Sequence, residues 1–150
     1  MEINIDNRQE KFKINEDIIS LVEKTIRECL RVEGIEKDHE VSLSFVTDQE
    51  IKELNRDYRG VDSSTDVLSF PIEDEFELGL PLLGDIVISL DTANRQAEEY
   101  QHSIDREISY LVCHSMFHLF GYNHEDEEEK KEMRSKEKKV MKNLRIYKGE

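Results

Sequence analysis

Short apolar strands and amphipathic helices interleave along this chain without a strict βαβ rhythm, and that pattern points to the α+β class. Glu2–Asp6 alternates Ile3 and Ile5 with polar residues, as a half-buried strand does. Asn15 is placed to cap a helix carrying Ile18, Ile19, Val22, Ile26, Cys29 and Leu30 at helical spacing, closed by Gly34. Val41, Leu43 and Phe45 form a second strand, and Thr47 or Asp48 starts a helix with Ile51, Leu54 and Tyr58. Val67–Phe70 is a short strand stopped by Pro71, and Glu73–Leu80 reads as a loop. Asp85–Leu90 is a buried strand, followed by a polar helix near Asp91–Tyr100. Ser103 caps a longer helix that ends at Gly121, where a glycine accepts the left-handed conformation that closes a last turn. A charged helix covers Asp126–Leu144. The expected architecture is a small mixed sheet packed by about five helices.

With 150 residues, the chain suits a single domain spanning residues 1–150. No apolar run reaches the roughly 18 residues that a membrane span needs. Met1–Asp6 has no basic segment followed by an apolar stretch, so no signal peptide is expected. Cys29 and Cys113 are too few for a disulfide framework, which favours a cytoplasmic protein with reduced thiols. The net charge of −14 argues against a polyanion partner, yet it is unevenly spread. Residues 130–148 hold nine Lys/Arg against two Glu, a local +7, and the remainder carries −21. Such a segment is either a solvated helix whose lysines offset nearby glutamates or a local docking face for a polyanion.

The chemistry concentrates in His114-Ser-Met-Phe-His118-Leu-Phe-Gly-Tyr-Asn-His124. Histidines four apart project from one helix face, and the break at Gly121 lets the chain turn back to present His124. Three neutral imidazoles leave the fourth tetrahedral position of a zinc ion to water, the pattern of a catalytic site. Three of the chain's five histidines fall within eleven residues here, whereas His39 and His102 stand alone and read as packing or surface residues. The spacing is similar to that of the metzincin peptidases, which carry Glu after the first histidine as general base. Ser115 occupies that position, so a peptidase mechanism lacks its base. Cys113 points about 100° away from His114 on a helix and reads as a small core residue.

A second cluster surrounds the short strand: Tyr58, Arg59, Asp62, Thr65, Asp66 and Ser69. Arg59 offers a planar fork for phosphate oxygens, or else a partner for Asp62 or Asp66. Asp85 is a candidate acceptor for a ligand histidine or a base, or a turn residue after Gly84.

Together these segments resemble the YbeY family of bacterial rRNA maturation factors, single-strand-specific metallo-endoribonucleases. The resemblance covers most of the chain after Val41. It rests on Asn55-Arg-Asp-Tyr-Arg59, Thr65-Asp-Val-Leu-Ser-Phe-Pro71, Leu83-Gly-Asp-Ile86 and the histidine block. It implies one Zn²⁺ held by His114, His118 and His124, with Arg59 and His114 serving catalysis. It also implies single-strand cleavage in maturation of the 16S rRNA 3′ end and in ribosome quality control, with RNA and the ribosome or its proteins as partners. Three positions depart from the family's usual residues: Ser115 for Gly, Asn123 for Asp and Ser64 for Pro. None removes a ligand. Two other functions fit the residues: another zinc hydrolase such as a peptidase, and a non-catalytic ribosome-assembly factor whose zinc is closed by a fourth protein ligand.

Overall fold

The structure is a computed structural model and describes residues 2–36, 39–72, 82–122 and 125–146. The order of elements is β1 (Glu2–Asn7), α1 (Glu16–Glu33), β2 (Glu40–Val46), α2 (Asp48–Arg59), β3 (Val67–Pro71), β4 (Leu82–Ser89), α3 (Leu90–Glu99), α4 (Ile104–Leu119) and α5 (Glu127–Asn143). The fold is α+β. Among the described residues, one four-stranded sheet runs β1-β2-β4-β3, with β1, β2 and β4 parallel and β3 antiparallel to β4.

Side-chain oxygens start the helices where the sequence anticipates them. Asn15, Thr47, Ser103 and Asp126 each accept a hydrogen bond from a backbone N–H in the first turn. One boundary differs from expectation. Leu90 continues the apolar run of β4 but is the first residue of α3, because Ser89 Oγ accepts from Thr92 N and turns the chain into a helix. The predicted loop over Glu73–Leu80 lies outside the described residues.

Alternation along the strands divides the sheet into two faces. Val41, Leu43, Phe45, Ile86 and Ile88 pack with α1, α4 and α5 in the main core. Val46, Leu68 and Val87 pack with Ile51 on the other face, beneath α2. Both cysteines are free and buried, and burial pushes the Cys29 thiol well up, which suits an inert core residue.

Asp48 ties α2 to α3. Its Oδ1 accepts from Ser89 Oγ at 2.6 Å and Thr92 Oγ1 at 2.7 Å, and its Oδ2 lies 2.9 Å from Arg95 Nη1. Burial alone raises this carboxyl, but the three donors outweigh it and hold the group below its ordinary value of 3.8. A depressed carboxylate stabilises the fold above its unfolded-state pKa, and that contribution disappears as pH falls through the folded value. Asp48→Asn is therefore expected to lower the urea midpoint at pH 7, with the gap from the parent protein narrowing below about pH 4. An equal gap on both sides of that pH would exclude a charge-based role.

Candidate active site

α4 is apolar almost all round because it is enclosed by the sheet, α1, α3 and α5. From Glu107 to Leu119 every residue is buried except Tyr110, His114 and His118. These are spaced four apart and so form one row, which Arg106 extends toward the start of the helix. The row opens into a cleft of about 540 Å³ walled by the end of α2 and by β3. Arg59, Asp66, Ser69, Tyr110, His114 and His118 all line it.

The two imidazoles are held from behind. His114 Nδ1 lies 2.8 Å from Oε2 of Glu137, a buried residue of α5. His118 Nδ1 lies 3.2 Å from the carbonyl oxygen of Tyr122. A carbonyl only accepts, so Nδ1 of His118 carries the proton, and the Glu137 carboxylate selects the same tautomer of His114. The Nε2 lone pairs of both rings then converge, with the nitrogens 3.2 Å apart. Two acceptors facing each other at this distance suit a shared cation, and a carboxylate and a carbonyl behind the rings are the usual outer partners of metal-ligating histidines. Tyr110 stacks on His114 with ring centroids 5.9 Å apart.

His124, the expected third ligand, lies outside the described residues, as does Asn123. Among the described residues, no group of three or more His, Cys, Asp or Glu side chains is disposed to hold a metal. Among the described residues, the donors brought together are the His114–His118 pair. His102 instead sits 3.3 Å from buried Glu107, as a packing residue does.

Arg59 is the last residue of α2 and is exposed. Asn55, buried on the same helix, donates to the carbonyl of Ser63 at 2.9 Å and secures the following loop. Asp66 is engaged elsewhere, its oxygens accepting from Val67 N, Thr65 Oγ1 and Gln96 Nε2. Among the described residues Arg59 pairs with neither Asp62 nor Asp66, which leaves its guanidinium available to the cleft.

The fold gives Ser115 and Asp85 their places. Ser115 is fully buried, with its Oγ 2.7 Å from that of Ser69, so it tethers α4 to β3. Asp85 pairs with Phe70 across the β3–β4 ladder, on the face opposite Ile86 and hence away from α4. It does not support the histidines. The acceptors that do, Glu137 and the Tyr122 carbonyl, go unnoticed in the sequence. The usable signal is the four-residue spacing on α4, which requires a neighbouring helix bearing an acceptor at matching height.

Fold and site together define an α+β protein whose cleft joins two oriented imidazoles and a guanidinium, a combination suited to chemistry on an anionic group. The family model for endoribonuclease YbeY matches residues 4–145. The endoribonuclease YbeY of Finegoldia magna is 55% identical over 150 residues, covering 100% of this chain and 98% of that protein. That of Clostridioides difficile is 51% identical, with 97% and 98% covered. The solution structure of TM1509 from Thermotoga maritima matches with a TM-score of 0.60 at 27% identity, over 95% of this chain and 91% of that one. The chain belongs to the YbeY endoribonuclease family. No helix among the described residues is long and apolar enough to cross a membrane.

Proposed function

We propose that this protein is a zinc-dependent endoribonuclease that cuts single-stranded RNA, acting in maturation of the 16S rRNA 3′ end and in ribosome quality control. The observation that carries the metal is the convergence of the His114 and His118 Nε2 atoms, each ring fixed through Nδ1. His124, three residues beyond Gly121, is the third ligand on the strength of sequence spacing. When bound, zinc supplies Lewis acidity toward a phosphate oxygen and makes water acidic enough to yield hydroxide near neutral pH.

The chain's own residues do the rest. Arg59 reaches the same cleft and offsets the charge that develops on the phosphate, while its fork orients two oxygens at once. Glu137 and the Tyr122 carbonyl keep the rings from turning their lone pairs away. The cleft's volume of about 540 Å³ is ample for one nucleotide and its flanking phosphates. A peptidase is disfavoured because Ser115 is buried against Ser69 and leaves no base after the first histidine. The rRNA and ribosome assignments rest on the family resemblance alone.

The test is cleavage of an unstructured RNA, its duplex form and a peptide by metal-loaded protein. Cleavage of the single strand alone is expected, with one zinc per chain by mass spectrometry. Failure to cut any RNA while zinc is bound would leave the non-catalytic assembly role. Arg59→Ala is expected to retain zinc and lower kcat/KM by about 10²- to 10³-fold, the effect of losing one preorganised charge stabiliser.

A further inference from the structure

A second groove, of about 520 Å³, lies between α4 and α5 and meets the first at Tyr110, whose ring lines both. We propose that this groove binds the sugar–phosphate backbone of single-stranded RNA and leads the strand along the α4 row to His114. This rests on the reading of the cleft as a ribonuclease site.

Two helical rows face each other across the groove. On α4, Arg106 and Tyr110 continue the spacing of His114 and His118. On α5, Arg134, Lys138 and Lys142 are likewise four apart, each step rising about 6 Å along the helix. Glu137 also lines the groove, but its carboxylate is turned to His114.

Of the seven cations of α5, three line the groove, two face α1, and Lys130 and Lys131 do neither. Lys136 pairs with Glu33 of α1, and Lys139 acts on Glu28 of the same helix. These do offset neighbouring glutamates. Arg134, Lys138 and Lys142 form no ion pair among the described residues, although the chain carries a net −14. Three uncompensated cations on one strip of so acidic a protein indicate an anionic ligand rather than simple solvation. Arg106 points the same way. Its side chain lines the groove, and its Nε and Nη1 are buried without a hydrogen-bond partner among the described residues, so its charge is not neutralised there. Tyr110 is 37% exposed and adds an aromatic face between the cations and the histidines. Cations that follow a backbone beside an aromatic platform make a single-strand channel, since every base can stack and every phosphate can pair.

Two charge reversals of equal size separate this from diffuse attraction: K138E/K142E in the groove, and K131E/K139E on another row of α5. All four lysines are exposed. Binding is read by anisotropy on a 2′-O-methyl oligouridylate, and cleavage on the unmodified strand. K138E/K142E is expected to weaken binding at least tenfold and to flatten the salt dependence by about 1.4, two single-strand phosphate contacts' worth. KM for RNA should rise with kcat nearly unchanged, and K131E/K139E should stay within about threefold of the parent protein. Equal loss in both pairs, no loss in the groove pair, or competition by polyglutamate as effective as by RNA would overturn the proposal. Groove-dependent binding without any cleavage would uphold it while refuting the nuclease reading. Cleavage with an unaltered KM in K138E/K142E would do the reverse.

Discussion

His114→Ala is expected to lose bound zinc and to cut unstructured RNA at least about 10³-fold more slowly, a deficit of about 4 kcal/mol in transition-state stabilisation. The substitution removes one of two converging nitrogens and leaves a donor set too small to hold the ion. It also strands the Glu137 carboxylate, which is 5% exposed and loses a partner at 2.8 Å. An unpartnered buried acceptor costs about 1–3 kcal/mol, so the metal-free variant should also melt at lower temperature. Glu137→Gln distinguishes the roles. It keeps the shape and an acceptor oxygen but removes the charge behind the ring, and should weaken zinc affinity by about 10- to 100-fold. Excess zinc should then restore cleavage to Glu137→Gln but not to His114→Ala. Full zinc content and activity in His114→Ala would remove the paired imidazoles from the mechanism.

What is legible before folding is what short-range chemistry determines. Asn15, Thr47, Ser103 and Asp126 bond to N–H groups within three residues, so their caps follow from local sequence. The His114–His118 pair is equally local, since one helical turn brings the rings to 4.7 Å between centroids. Leu90 misleads because an apolar residue after an apolar strand looks like more strand until Ser89 is seen capping α3. Asp85 misleads for another reason. Alternation with Ile86 and Ile88 puts it on the opposite face, but nothing local says which face α4 will cover. Glu137 is further removed, 23 residues beyond His114 on a separate helix, and its role exists only once α5 packs on α4. The same packing separates Lys138, in the groove, from Lys139, beside α1, although both look alike as parts of one basic run. The strand order β1-β2-β4-β3, with its reversed last strand, likewise depends on contacts between distant segments.

Gly84→Ala is the second large effect, and it links the sheet to the site. Gly84 sits in β4 with φ at +149°, a conformation that side chains rarely adopt. A Cβ there would lie 2.3 Å from the carbonyl oxygen of Phe70, 2.9 Å from Leu119 Cδ2 and 3.0 Å from Cα of Pro71. Two of these three atoms are backbone, so no rotamer change relieves the clash. β3 must therefore part from β4, and Leu119 in the last turn of α4 must give way as well. The expected loss is about 3 kcal/mol or more from overpacking and strain combined. For a domain of this size that is a fall in Tm of about 6–12 °C. Gly34→Ala provides the comparison, because its φ is also positive at +79° but nothing lies within 4 Å of the added carbon. Its cost should be confined to the backbone, about 1–2 kcal/mol. His118 immediately precedes Leu119, and Pro71 lines the same cleft as His118. Gly84→Ala should therefore also reduce RNA cleavage at temperatures where the variant remains folded, whereas Gly34→Ala should not. A Gly84→Ala protein as stable and as active as Gly34→Ala would mean that the contact of β3, β4 and α4 does not set the position of His118.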